Sequence, residues 1–301
     1  MSRKTTSNVA PGTDKCAPGR LRLVATPIGN LEDITVRALR TLKESDLIAA
    51  EDTRVTSKLL HHFDIHTPIV SHHAHSGQED VILLVGKMMQ GFNVALVSDA
   101  GSPCISDPGH QLVTAAIQCG IVVEPIPGAC AVVASVSASG LSTARFTFEG
   151  FLPRSNDRKE RLIALATERR TMVIYESPHR LIETLNDLAE YCGPLRPAVV
   201  ARELTKIYES FIRGTLASCA EHYLSEPPRG ECVIIVAGGT GIAAEMPVQA
   251  DTDTLLRERI VAGKSTKEAA REVAVMTGLA RRELYNRAIQ LVNEGLLTEE
   301  A

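Results

Sequence analysis

Leu21–Arg54 reads LRLVATPIGNLEDITVRALRTLKESDLIAAEDTR, and the change of period along it decides the fold. Leu21–Ala25 is an apolar run of strand length, closed by a loop at Thr26–Asn30 that carries Pro27 and Gly29. Ile34, Ala38 and Leu42 then recur at every fourth residue, the spacing of one helical face. Leu47–Ala50 is apolar throughout and runs into the charged cluster Glu51-Asp52-Thr53-Arg54. Strand, helix and strand in so short a stretch predict an α/β fold.

Working outward, helices fit Val55–His62 and Glu79–Gln90, and a strand fits Val94–Val97. A long loop, SDAGSPCISDPG at Ser98–Gly109, separates that strand from a helix at Gln111–Cys119 and a strand at Ile121–Glu124. Pro125-Ile126-Pro127-Gly128 punctuates the chain, which predicts one α/β domain over 21–125 and a second over 126–240. The second opens with a small-residue helix, Ala129–Ser139. Strands follow at Arg145–Glu149, Thr171–Tyr175, Ala198–Ala201, Tyr208–Arg213 and Glu231–Val236, a mixed sheet with some antiparallel pairing. Residues 1–20 are basic and polar without an apolar core, a disordered tail rather than a secretory signal. Gly238–Asp251 reads as a linker. Residues 252–301 read as all helix: Ser265 and Glu268 form a capping box, Gly278 ends that helix, and Arg281–Leu291 forms another. Helix, glycine turn and basic helix suggest a helix-turn-helix module.

Bulk properties narrow the class. A length of 301 residues predicts two or three domains, and no apolar stretch approaches the roughly 20 residues of a membrane span. The seven cysteines are scattered without a CxxC pair, which favours a reducing, cytoplasmic setting and argues against structural zinc. His61, His62, His66, His72, His73 and His75 crowd one region, but no carboxylate completes a ligand spacing, so they read as a polar helix end and loop and no metal is expected. Net charge is −4, unevenly spread. Between Leu255 and Gln290, Arg257, Arg259, Lys264, Lys267, Arg271, Arg281, Arg282 and Arg287 stand against four glutamates, giving +4 there and −8 elsewhere. A basic module is joined to an acidic body.

Chemistry concentrates where apolar runs end. The first loop lacks the G-x-G-x-x-G glycines that let a pyrophosphate approach a helix, which disfavours a dinucleotide. Gly263-Lys264-Ser265-Thr266 resembles the end of a P-loop, but Glu258 stands where the first glycine belongs. Ser98–Gly109 leaves the carboxyl end of a buried strand, the usual ligand position in open α/β sheets, and brings Asp99 and Asp107 there. Glu51–Arg54, Glu176–Arg180 and Arg202–Lys206 end three further strands. Singly, each could be a solvated loop with a salt bridge. Together they predict an active site between the two α/β domains.

The blocks VATPIGNLEDIT, AEDTR, SDAGSPCISDPG, PGACAV, GFLPR, YESPHR and ARELTK, in this order over Leu21–Gly238, resemble the tetrapyrrole-methylase superfamily. They are most similar to its ribosomal RNA branch, the small-subunit (16S) ribosomal RNA (cytidine-2′-O)-methyltransferases, whose terminal helix-turn-helix the basic helices also resemble. The resemblance implies two α/β domains around a cleft that holds S-adenosylmethionine, usually in a homodimer. It implies backbone contact from Ile28, a second cofactor loop at Val97, Ser98, Asp99, Ala100 and Gly101, and further contacts at Cys130, Ala131, Glu176 and Leu204. Thr26-Pro27-Ile28-Gly29 replaces the glycine-rich first loop of the tetrapyrrole enzymes.

A ribose hydroxyl needs its proton removed as it attacks, so a general base is expected. Glu51 stands at the place of the acidic catalytic residue of the tetrapyrrole enzymes, followed in rank by Asp52 and Glu203. Arg54, Arg180, Arg202 and Lys206 are candidates for RNA phosphate contacts, or equally for ion pairs that hold the domains together. Three functions stay open: ribose methylation of RNA, methylation of a tetrapyrrole or protein side chain, and nucleic-acid binding by a catalytically dead body.

Overall fold

The computed structural model describes residues 17–73, 76–154, 157–239, 252–277 and 281–295. Most of the predicted tail, the linker after Gly239, His75 and the Gly278 turn lie outside the described residues. The chain divides into two compact units, residues 1–238 and 239–301.

The first half of the larger unit alternates strands and helices: Arg20–Val24 (β1), Val36–Glu44 (α1), Leu47–Ala50 (β2), Thr53–His62 (α2), Ile69–Ser71 (β3), Gln78–Met89 (α3), Val94–Val97 (β4), His110–Gln118 (α4) and Val122–Ile126 (β5). The strands form one parallel sheet in the order β3-β2-β4-β1-β5. Central β4 shows why it reads as a continuous apolar run. Val94 and Leu96 pack with Met88 and Leu112 from α3 and α4. Ala95 and Val97 pack on the other face with Leu42 and Leu60 from α1 and α2. A parallel strand covered on both faces has no polar side to alternate with. β3 escaped the sequence reading because it is a three-residue edge strand after Pro68, too short to show a period.

The strand order also locates a crevice. From β2 the chain moves outward to β3, and from β4 it moves the opposite way to β5, with α2 and α4 on opposite faces. Adjacent strands whose connections diverge leave a gap at their carboxyl ends, the topological switch point where open sheets bind ligands. Glu51 follows β2 and Ser98 follows β4.

The second half contains Ala131–Ser139 (α5), Phe146–Phe151 (β6), Asp157–Ala166 (α6), Thr171–Glu176 (β7), Leu181–Cys192 (α7), Pro197–Arg202 (β8), Ser210–Thr215 (β9), Leu216–Ser225 (α8) and Cys232–Val236 (β10). Its sheet runs β6-β7-β10-β8-β9, with β6 and β7 parallel and the remaining pairs antiparallel. Met172, Ile174, Val200 and Ile234 face the helices α6 to α8. Val173, Val199, Val233 and Ile235 face Val132 and Val136 of α5, and Ile28 of the first loop packs into this same cluster. That contact joins the two sheets.

The smaller unit is three helices, Thr252–Val261 (α9), Thr266–Thr277 (α10) and Arg281–Gly295 (α11), around Leu256, Ala269, Ala270, Val273, Leu284, Ala288 and Leu291. The capping box is present: Ser265 N–H donates to Glu268 Oε2 at 3.1 Å, and Glu268 N–H donates to Ser265 Oγ at 3.3 Å. Gly263-Lys264-Ser265-Thr266 is thus a helix cap.

Candidate active site

At the switch point the backbone itself organises the acidic residues. Asp99 N–H donates to Glu51 Oε2 at 3.3 Å, and Asp52 N–H donates to Asp99 Oδ1 at 3.0 Å. The first loop is clamped to the second by reciprocal bonds between Thr26 and Gly101, at 2.9 and 3.0 Å. Gly101 sits at φ +84°, and a Cβ there would lie 3.3 Å from Ile28 Cγ2, so the turn needs a glycine. Among the described residues, four of the five non-glycine positive-φ positions (Cys104, Ser106, Glu203 and Thr205) fall in two loops beside this site. Such conformations cost about 1–3 kcal/mol each and gather at functional sites.

Above the switch point lies a cavity of about 390 Å³, within the usual size of a small-molecule site. Ile28, Glu51, Asp99, Ala100, Gly101 and Asp107 of the first half face Cys130, Ala131, Phe151, Tyr175, Glu176, Leu204 and Glu231 of the second. Among the described residues no lysine or arginine is in its lining. Arg180 neutralises Glu176 and Lys206 neutralises Glu231. Glu51, Asp99 and Asp107 remain as carboxylates that no ion pair engages among the described residues. Burial pushes the Glu51 and Asp107 carboxyls above their ordinary values, and mutual repulsion with Asp99 adds to it. Such a cavity favours a cationic ligand. The N-terminus of α5 also opens here, capped by no side chain of Cys130, and the positive end of a helix suits an anionic group.

The predicted residues divide sharply. Glu51, Ile28, Asp99, Ala100, Gly101, Cys130, Ala131, Glu176 and Leu204 line the cavity. Val97 and Ser98 are buried at the end of β4, outside its lining. Asp52 caps α2 through Arg54 N–H at 2.8 Å and pairs with the Arg54 guanidinium, which holds its carboxyl down at about 2. Glu203 is bonded by Lys206 Nζ at 2.9 Å, which keeps its carboxyl below the usual range. Neither is a strong base. Arg202 Nε donates to Ser210 Oγ at 3.2 Å.

Arg180 is buried against Glu176 at 3.6 Å, and Thr184 donates to the other oxygen of Glu176 at 2.7 Å. This is an internal ion pair. Arg180→Met strands a fully buried carboxylate and is expected to cost about 3 kcal/mol of stability in thermal or urea melts. A variant that melts like wild type would show instead that the pair does not hold the fold.

Phe151, Tyr175 and Glu231 were absent from the predicted ligand set, whereas Asp107 was expected at this strand end. Phe151 and Tyr175 become neighbours only through β6–β7 pairing, with ring centroids 5.7 Å apart. Burial pushes the Tyr175 phenol up to about 12, so it stays neutral. Their blocks GFLPR and YESPHR were visible, but a strand partnership across 24 positions leaves no local period.

In the smaller unit the basic residues fall into two groups. Arg259 and Lys264 pair with Glu272, and Arg287 pairs with Asp253. Arg257, Lys267, Arg271 and Arg281 are exposed and make no ion pair among the described residues; the Arg282 side chain lies outside them. Among the described residues no group of three His, Cys, Asp or Glu is placed to hold a metal ion, and no helix is long and apolar enough to cross a membrane.

Known proteins share this architecture. Residues 243–291 match the model described as the RsmI C-terminal HTH domain. A curated relative from Synechocystis, named ribosomal RNA small subunit methyltransferase I, is 47% identical over 92% of this chain and 100% of its own length. A protein of the same name from Halalkalibacterium halodurans is 48% identical over 89% of this chain and 94% of its own. Among solved structures, a diphthine synthase superposes with a TM-score of 0.58 at 16% identity, over 73% of this chain and 90% of that one. Residues 20–220 match the model for Tetrapyrrole (Corrin/Porphyrin) Methylases, and with that match the chain belongs to the tetrapyrrole methylase family.

Proposed function

We propose that the protein transfers a methyl group from S-adenosylmethionine to the ribose 2′-oxygen of a cytidine in small-subunit ribosomal RNA. The observation that carries this reading is the cavity at the switch point, lined among the described residues by three carboxylates outside any ion pair and by no cation. When bound, S-adenosylmethionine supplies an activated methyl on a sulfonium, and its positive charges suit Glu51, Asp99 and Asp107. Its carboxylate suits the N-terminal end of α5. The names of relatives at 44–48% identity, which cover nearly the whole chain, support ribosomal RNA as the acceptor.

The chain's own groups then have distinct tasks. Glu51 takes the proton of the attacking hydroxyl, because burial makes it the stronger base of the adjacent pair, while Arg54 holds Asp52 as a cap. The Asp99 amide fixes the Glu51 carboxylate. Clamping the Thr26 and Gly101 loops presets the geometry of an in-line displacement. Arg54, whose side chain is 86% exposed, is placed to meet a phosphate, whereas Arg180 is committed inside the fold. The working form is a homodimer, which sedimentation can test.

Gly101→Leu tests the cofactor site. The new side chain fills the cavity from a positive-φ turn, at a local strain of about 1–2 kcal/mol that the fold can absorb. Calorimetric S-adenosylmethionine binding should fall below detection while the thermal melt stays cooperative; undiminished affinity refutes the placement. Mass spectrometry of nucleosides from ribosomal RNA of cells with and without the protein tests the acceptor. A missing 2′-O-methylcytidine is the expected difference, and a missing base-methylated nucleoside would move the chemistry off the ribose.

A further inference from the structure

A second cavity, of about 350 Å³, adjoins the first and meets it along Ile28, Asp99, Ala100 and Glu231. Its walls come from the first loop, the exposed face of α2, the end of β4 and Lys206. Lys58 and Lys206 line it beside Asp99 and Glu231, whereas among the described residues no cation lines the first. Leu31 and Val55, each 40% exposed, present apolar surface to it without a covering group.

Lys206 is placed there by design of the backbone. Its ammonium is held by Glu203 Oε1 at 2.9 Å and Glu231 Oε2 at 3.0 Å. Its stem lies over Gly29, where a Cβ would come within 2.6 Å of Lys206 Cγ. The single glycine retained in the first loop therefore serves this lysine. Lys58, one exposed helical turn along α2, makes no ion pair among the described residues.

Methyl transfer requires the acceptor oxygen beside the methyl donor, so the acceptor must enter from a space continuous with the cofactor cavity. An enzyme acting on one nucleotide of a folded RNA also needs somewhere to hold it out of its stack. We propose that the second cavity holds the target nucleotide, with its base against Leu31 and Val55, its phosphate on Lys58, and its ribose at Asp99. This rests on the RNA-methylating function above. Asp99 is the hinge of the arrangement: it borders both cavities, and its amide orients Glu51.

Val55→Trp fills the cavity from an exposed helical position. Three readouts separate the outcomes: calorimetry with S-adenosylmethionine, saturation-transfer NMR with cytidine monophosphate as probe, and methylation of small ribosomal subunits. Cofactor affinity should stay within twofold, the saturation transfer seen with wild type should vanish, and methylation should fall at least 50-fold. Lys58→Met, a milder change, should raise the half-saturating subunit concentration about tenfold with the maximal rate kept. Wild-type methylation and an unchanged probe signal in Val55→Trp would overturn the assignment. So would a variant that loses only self-association, because a second copy would then be the occupant of this face. Wild-type protein that binds S-adenosylmethionine, contacts the probe and methylates no ribosomal RNA would fail the underlying function instead.

Discussion

Glu51→Gln is expected to slow single-turnover methylation by about 100- to 10,000-fold, the range of a positioned general base. Cofactor affinity should change less than tenfold, since one carboxylate at a solvent-open site contributes about 1 kcal/mol or less. The wild-type rate should fall as pH drops through the Glu51 pKa, which burial and the neighbouring acids hold above its ordinary 4.5. That limb should be missing from the variant. Stability supplies an independent sign. The unfolded chain releases this proton at lower pH than the fold does, so ionised Glu51 opposes folding once pH rises past the unfolded value. Glu51→Gln should therefore melt no lower than wild type at neutral pH. A near-normal rate would transfer the role to Asp99, which borders both cavities, ahead of the cation-bound Glu203.

The architecture was largely legible because the chain states it locally. Val94–Val97 and Leu47–Ala50 are buried on both faces and read as unbroken apolar runs, and the turns at Pro127-Gly128 and Gly101 carry the residues their backbones require. The acidic cluster was legible too, since strand ends and carboxylates coincide in the sequence. The assignment of the basic residues was not. Arg54, Arg180 and Lys206 share one residue class and one kind of loop, yet Arg180 is buried on Glu176, Lys206 bridges to Glu231 from 25 positions away, and Arg54 stays exposed. Separating them takes the folded coordinates, because a charge pair leaves no periodic signal. The second cavity was illegible for the same reason. Leu31, Val55 and Lys206 belong to three segments that meet only when the two sheets close on Ile28.

The smaller unit should carry the salt dependence of the whole protein. Residues 255–290 of this unit carry +4 and the rest of the chain −8, so attraction to RNA cannot come from overall charge. Arg257, Lys267, Arg271 and Arg281 are the exposed cations that no internal pair engages among the described residues, whereas Arg259, Lys264 and Arg287 hold the three helices together. Each phosphate contact steepens log K against log salt by about 0.7–0.9, so four contacts contribute a slope of about 3. Replacing the four exposed cations by glutamine should remove that slope, and at low salt it should weaken subunit binding on the order of 100-fold. The helices should still fold, because their core and ion pairs are untouched. Deleting Thr252–Ala301 should reproduce the effect while leaving S-adenosylmethionine affinity intact, since every cavity-lining residue precedes Gly239. The two variants bracket the argument. If deletion weakens binding and the glutamine substitutions do not, the unit docks by shape or protein contact rather than phosphate charge. If neither changes the salt response, the basic stretch of the smaller unit is not the docking element, and the RNA is gripped by the body around Arg54 and Lys58 alone.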